Sequence, residues 1–381
     1  MHANTESHRP SERTELFLRD YLSQSHHLPG DRLPSPRRIA AELKVSESTV
    51  RGVVRRWLQE GKLRSRQGSG IFICKPGREA RPLRIGANVV NQRQQNLLGW
   101  SGTIHIHALE AVMELGPKGS FTSLYSATEE PDSLPDKEVV ARCRDLDGII
   151  LYQSSFHVPA IADYCKRHGK PFVYLNPPTD DSVANFVALE TFTAFYRITR
   201  ALRDCGRKRF ALLIHPQLER SVSTRQRLSG VANGIGEALG LSAELRVVHC
   251  EGHQEEDGRR HTEKLLKRDC YRPDAILCAG DLLAFGALQA LKEADLSTPG
   301  DVSVVSGAGF DPRIGDRQVT TLVQPLEGIA RNLVSMLLEM IERQATELPA
   351  QILPIGLRLG KTTTRQENST VAALFGKDTR P

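Results

Sequence analysis

Leu33-Pro34-Ser35-Pro36-Arg37, then Val45-Ser46-Glu47-Ser48-Thr49-Val50-Arg51, then Arg66-Gln67-Gly68-Ser69-Gly70-Ile71-Phe72 follow one another closely and decide how this chain is read. Ser35 suits a helix N-cap, and Pro36 suits the first helical position, where a missing N–H costs nothing. Ile39, Ala40 and Leu43 give that short helix a buried face. Ser46 caps a second helix whose Val50, Val53, Trp57 and Leu58 turn inward, which leaves Glu47, Ser48, Thr49 and Arg51 around its exposed first turn. Leu63–Arg66 and Ile71–Cys74 pair as a hairpin across Gln67-Gly68-Ser69-Gly70. Upstream, Phe17, Leu18, Tyr21 and Leu22 recur at helical spacing and predict a helix over 12–24. The sum is the outline of a winged helix-turn-helix, a shape that puts the first turn of one helix against base edges and phosphates in a DNA major groove. Glycines let the hairpin tip approach a nucleic-acid backbone, and Arg64 and Arg66 supply charge beside it. A glycine-rich turn alone would mean only a surface hairpin; in register with two capped helices it means more.

Residues 12–74 resemble the head of the gluconate-repressor (GntR) family of bacterial regulators. The matching positions are Pro29-Gly30, Leu33-Pro34-Ser35, Arg37, Ile39-Ala40, Val45-Ser46, Thr49-Val50-Arg51, Glu60-Gly61, Arg66, Gly68, Gly70 and Phe72. The resemblance implies that Arg37, Ser46, Glu47, Ser48, Thr49, Arg51, Arg66, Gly68, Ser69 and Gly70 form the DNA-contacting surface. Two positions depart from the family pattern: Glu47 stands where Arg is usual, and Pro36 where Glu is frequent. A carboxylate there repels phosphate but can accept from a cytosine amino group, so the operator should differ from the family's commonest one.

Charge divides the chain the same way. Residues 10–76 hold thirteen Lys/Arg against seven Asp/Glu, and the net of +6 for that stretch equals the net of the whole chain. A localised basic excess is the footprint of a phosphate-binding module, although a solvated basic surface would look similar. With 381 residues, 39% hydrophobic and 25% charged, the chain has room for two or three globular domains. It has no apolar run long enough to span a membrane and a polar N-terminus without a signal core, which predicts a cytoplasmic protein. Seven cysteines without a CxxC pair read as reduced thiols, not a zinc site.

Cys74–Pro82 is a Pro/Gly/charged connector, and the domain reading is a head over 10–76, a linker over 77–83, a body over 84–362 and a polar tail over 363–381. In the body, strand-like runs (83–90, 121–125, 148–152, 172–175, 210–214, 245–249, 275–279, 302–305) alternate with helical ones (103–115, 158–168, 191–204, 223–239, 255–267, 282–293, 326–342). That alternation predicts doubly wound α/β layers with parallel sheets. About 280 residues exceed one comfortable core, so two lobes around a cleft are expected. The lobes are read as 84–190 plus 325–350, and 191–324 plus 351–362. Ligands in such folds sit at the carboxyl ends of strands. Arg227, Asp281, Asp311 and Asn176 each follow a strand. A helix N-cap is the plainer role for Asp281, a turn for Asn176, and a solvated helix position for Arg227.

The body in turn resembles the effector domain of the lactose-repressor (LacI) family, which is similar to periplasmic sugar-binding proteins. The residues that carry this are Asp147-Gly148-Ile149-Ile150, Gly169-Lys170-Pro171-Phe172-Val173, Arg225, Arg227-Leu228, Gly230, Pro273-Asp274-Ala275-Ile276, Gly286-Ala287-Leu288, Pro299 to Gly307, Gly309-Phe310-Asp311 and Thr320 to Pro325. Residues 84–145 match poorly. By position, the resemblance makes Arg227 and Asp311 sugar contacts, and Asn176, Phe310 and Gln324 cleft-lining residues, with Asp281 beside them. The family often has Asn-Asp where this chain has Gly280-Asp281, so the cleft lacks one amide and should take a different ligand or bind more weakly.

Together the two resemblances imply a homodimeric repressor whose grip on double-stranded operator DNA is set by a small effector, of carbohydrate type, held between the lobes. No cofactor and no membrane partner is called for. The alternative is a head of this type on an enzymatic or ligand-insensitive body. An aminotransferase-like body would need a Schiff-base lysine signature, which is not recognisable, and no P-loop, GxSxG or HExxH occurs. Ile104-His105-Ile106-His107 lacks a third ligand at metal spacing and reads as exposed histidines on a helix.

Overall fold

The computed structural model describes residues 9–23, 31–59, 62–66, 70–73, 83–91, 100–116, 120–127, 136–152, 158–215, 221–236, 243–309 and 318–376. The head consists of α1 (Pro10–Ser23), α2 (Pro36–Leu43), α3 (Glu47–Gln59) and the antiparallel pair β1 (Leu63–Arg66) and β2 (Gly70–Ile73). The Ser35 hydroxyl accepts from the Arg38 amide with Pro36 in the first turn, and Lys44 ends α2 in the left-handed conformation at φ 53°. Leu18, Leu33, Ile39, Val50, Val53, Trp57, Leu63 and Ile73 close over one another as a single small core. The turn before α2 also joins the hairpin: the Leu33 amide donates to the Ile71 carbonyl and the Ile73 amide to the Asp31 carbonyl. Sequence patterning gave no sign of this third strand segment, which is too short to show alternation.

The body contains two six-stranded sheets of the same winding. The first runs β13 (Gln351–Leu353), β7 (Phe186–Leu189), β6 (Phe172–Leu175), β5 (Gly148–Tyr152), β3 (Arg84–Asn91), β4 (Ser120–Ala127), all parallel. The second runs β14 (Gly356–Arg358), β12 (Thr320–Val323), β11 (Ser303–Ser306), β10 (Ala275–Cys278), β8 (Arg209–Ile214), β9 (Glu244–His249), with β14 antiparallel. Helices α4 (Trp100–Leu115), α5 (Asp136–Arg142), α6 (Val158–Arg167) and α11 (Leu326–Arg343) belong to the first lobe. To the second belong α7 (Thr191–Asp204), α8 (Val222–Gly236), α9 (Glu255–Lys267), α10 (Asp281–Glu293) and α12 (Arg365–Phe375). Strands β5, β6, β10 and β11 are buried along their whole length, as helices on both faces require. Leu337 and Ile341 of α11 rest directly on Gly148, where an added Cβ would meet them at 2.9 Å, so this glycine permits the helix–sheet contact.

Two expectations need correction. Residues 351–362 do not all belong to the second lobe, because Gln351 pairs with Val187 and Leu353 with Leu189 in the first sheet. The chain therefore passes between lobes after β7, after β12 and again between β13 and β14. Strands of three residues carry no readable periodicity, so the last passage was invisible in sequence. Nor are the described residues of the expected tail, 363–376, without structure: Arg365–Phe375 is a helix with a capping box between Thr364 and Glu367, and Val371 and Phe375 are buried in the main core. Its polar first turn masks it, although Thr364-x-x-Glu367 ahead of an apolar run is a start signal.

Candidate nucleic-acid interface and ligand cleft

At the start of α3, the Ser46 hydroxyl lies 2.8 Å from that of Ser48 and 2.7 Å from that of Thr49, and it accepts from the Thr49 amide at 3.2 Å. These three predicted contact residues thus form one cap. Glu47, the first residue of α3, and Arg51, one turn further on, form a second unit: both Nε and Nη2 of Arg51 donate to Glu47 Oε1, at 2.9 and 2.7 Å. Arg37 is exposed on α2, Arg66 ends β1 opposite Gly70, and Gly70 begins β2 at φ 116°. Gly68 and Ser69 lie outside the described residues. Gly52 sits on the exposed face between these groups with nothing within 4 Å of where a Cβ would be. A mid-helix glycine lowers helix stability, so an open one on this face leaves a flat place for close approach.

Arg64 does not join the exposed set. Its Nη1 reaches Glu342 at the end of α11, 3.3 Å away, so the wing is tied to the first lobe of the body. Sequence reasoning assigned Arg64 to the hairpin's positive charge; nothing local marks a partner 278 residues distant.

In the second lobe β9 and β10 flank β8 on opposite sides, which places the topological switch point at the carboxyl ends of β8 and β10. Arg227, in α8 immediately after β8, occupies this corner. Its Nη1 lies 3.4 Å from the Ser223 hydroxyl, its guanidinium carbon 6.0 Å from the centre of the Phe195 ring, and its buried Nε has no hydrogen-bond partner among the described residues. The residue as a whole keeps a partly accessible edge, yet desolvation of the guanidinium lowers its pKa to about 10. Beside it His215, just after β8, stacks on His253, beyond β9, with ring centres 4.4 Å apart. His253 is exposed as a residue, yet desolvation of its ring where it stacks on His215, followed by the charges of His215 and Arg227, lowers its pKa to about 4. Sequence reasoning missed both histidines, although each follows a strand, which is where polar residues were sought.

The opposite wall belongs to the first lobe. Asn176 follows β6 in the left-handed region at φ 67°, with its amide donating to the Val187 carbonyl. Asp180, on the loop beyond it, accepts from Arg225 Nε and Nη2 at 3.1 and 2.8 Å. This ion pair runs from lobe to lobe and shows that the carboxyl-end loops of the two sheets face each other.

Asp281 is not the cap of α10; Gly280 is, and Asp281 is the first helical residue, only 1% exposed. Its Oδ1 accepts from the Ser306 hydroxyl and from the Gly309 amide. Gln324, also buried, donates to the Gly307 carbonyl at 3.0 Å. Both side chains hold the 306–309 turn. Gly309 adopts φ 67° with the Leu322 carbonyl 2.7 Å from any Cβ, so glycine is required there. Phe310 and Asp311 lie outside the described residues. His105, expected to be exposed, is half-buried with its ring edge-on to Tyr152, and His107 is paired with Glu110 at 3.0 Å. Among the described residues no three metal-ligating side chains cluster, and no helix is long and apolar enough to cross a membrane.

Residues 10–73 match the gntR family of bacterial regulatory proteins, and residues 199–363 match the periplasmic binding protein-like domain. Residues 10–73 are thus a GntR-type helix-turn-helix domain and residues 199–363 a periplasmic-binding-protein-like domain. Over 323 residues it is 29% identical to an HTH-type transcriptional regulator in the aml 5′ region of Streptomyces limosus, covering 81% of this chain and 88% of that protein. The HTH-type transcriptional regulator MalR of Streptomyces coelicolor is 29% identical over 326 residues, 80% of this chain and 89% of its own length. A LacI family transcriptional regulator from Enterococcus faecium, solved with bound ribose, superposes with a TM-score of 0.59 at 21% identity, over 74% of this chain and 98% of its own. Both expected resemblances are therefore met, and the mixed α/β architecture with them.

Proposed function

We propose that this protein is a ligand-responsive transcription regulator of the cytoplasm, not an enzyme. A homodimer sets one α3 in the major groove of each operator half-site. Its effector is a small polar molecule of carbohydrate type, taken between the two lobes of the body. The observation that carries the ligand reading is Arg227, a desolvated guanidinium with an unsatisfied Nε at the switch point of the second sheet. A buried donor without a partner is costly, and a hydroxylated ligand supplies the missing acceptor. The stacked His215 and His253 add a flat surface with ring nitrogens beside it. The regulators among its relatives and the ribose in the Enterococcus faecium structure support the same class.

Coupling follows from differential affinity for two arrangements of the lobes. Closing them is favoured by ligand and by Arg225–Asp180, and any shift of the first lobe reaches the wing through α11 and the Glu342–Arg64 pair. The test is to select bound fragments from genomic DNA, then titrate monosaccharides into the complex formed by the full chain. Operator affinity should change with at least one sugar, and Arg227→Ala should abolish the change while leaving affinity for DNA intact. A response that survives in Arg227→Ala would overturn the assignment of the cleft.

A further inference from the structure

The pair Glu47–Arg51 sets two opposite charges against each other on the proposed DNA-facing surface, so as a unit it is electrically neutral. Both bonded nitrogens of Arg51 donate to one oxygen, Oε1, while Glu47 Oε2 accepts nothing among the described residues. Arg51 is 65% exposed and Glu47 41%, so the pair lies on the open face of α3, beside the capped Ser46–Ser48–Thr49 group and above the bare backbone at Gly52. A neutral pair releases no net counterions from DNA and so contributes little to non-specific affinity, which scales with the phosphates neutralised. Its use must lie in geometry. With Nε and one Nη2 hydrogen committed to Glu47, the guanidinium retains both Nη1 hydrogens and the other on Nη2. That outer edge is the fork that meets O6 and N7 of guanine. The carboxylate also holds Arg51 away from phosphate, the competing site to which a released arginine would turn.

We infer that Glu47 is a specificity-determining residue, a restraint that keeps Arg51 on a guanine edge of the operator and off the DNA backbone. This rests on the DNA-binding reading above and goes beyond it by predicting opposite signs for two affinities. Removing Glu47 adds one positive charge per head, so binding to arbitrary duplex strengthens and its salt dependence steepens. The same change frees Arg51 to swing, so discrimination falls. A carboxylate that merely stabilised the first turn of α3 would weaken both kinds of binding together.

The experiment selects duplexes from a random pool with the full-length wild type, Glu47→Ala and Glu47→Gln. It then measures binding to the selected and to a shuffled duplex between about 50 and 200 mM salt. For the wild type, one guanine per half-site should be strongly preferred. For Glu47→Ala, the shuffled duplex should bind more tightly at low salt and the log–log salt slope should steepen by about 0.9 per half-site. The preference for selected over shuffled duplex should drop about tenfold, the scale of one bidentate base contact. Glu47→Gln, which can still accept from Arg51, should retain more of the guanine preference than Glu47→Ala. If Glu47→Ala selects the same guanine with an undiminished preference, or binds the shuffled duplex no more tightly, the inference is overturned. A wild type that selects no sequence at all is a different outcome, and it overturns the DNA-binding reading together with this one.

Discussion

Replacing Glu367 by alanine should lower the melting temperature of the body while leaving the folded protein able to bind DNA at room temperature. Glu367 is 1% exposed and satisfies three groups: Arg207 Nε at 2.6 Å, the Ser303 hydroxyl at 2.7 Å and the Thr364 amide at 2.6 Å. Truncating one member of a buried pair typically costs about 3–5 kcal/mol, because the other charge stays buried without compensation. Here Arg207 still donates to the carbonyls of Pro299 and Asp301 and to Ser303, which offsets part of the loss. The lower end, about 3 kcal/mol, is therefore expected. For a unit of 150–250 residues each kcal/mol shifts the midpoint by about 2–4 °C, so the transition of the second lobe should fall by about 6–12 °C. Differential scanning calorimetry of the full chain reads this directly, with Glu367→Gln expected between wild type and alanine. A shift under about 2 °C would refute the reasoning, since α12 would then be an accessory and not part of the lobe's core.

Gly52→Ala should raise the stability of the head by about 0.8–1 kcal/mol, the helix-propensity difference, because the position is open. The same change should weaken operator binding, and unchanged affinity would remove the case for close approach at Gly52. Arg64→Ala and Glu342→Ala should each reduce the factor by which ligand alters DNA affinity, and the double variant should do no more than either single one. Additive losses in that double-mutant cycle would show that the two residues do not act as a pair. His253, lowered to about 4 in the folded protein against about 6.5 when unfolded, binds fewer protons folded than unfolded between those values. Its contribution to stability is thus full above pH 6.5 and is lost as pH falls toward 4. His253→Gln should flatten the acid limb of a stability-against-pH curve, and an identical limb would count against the packing of this ring.

The head was legible because its information is local. Ser35-Pro36, Ser46 and the spacing of Ile39, Val50, Val53 and Trp57 state where helices start and which side they bury. The alternating body was legible for the same reason, with strands such as Gly148–Tyr152 and Ala275–Cys278 standing out as continuous apolar runs. For the proposed cleft, Arg227 and Asn176 could be singled out by their places after strands and through the resemblance; the imidazole neighbours of Arg227 could not, since a histidine after a strand is unremarkable until a second ring is seen stacked on it. Asp281 and Gln324 are expected from sequence as cleft residues, and their hydrogen bonds give them the task of shaping the turn that precedes Phe310 and Asp311.

By itself the amino-acid order determined element type, the order of the two modules and the polarity of the recognition helix, because caps and hydrophobic periods act over a few residues. Only the tertiary structure decided which lobe takes β13, that the C-terminal residues close the second core, that Arg64 leaves the DNA-facing set for Glu342, and that Arg225 meets Asp180 across the cleft. Such partners lie far apart along the chain, and their pairing depends on how whole sheets and helices pack, which no local pattern encodes.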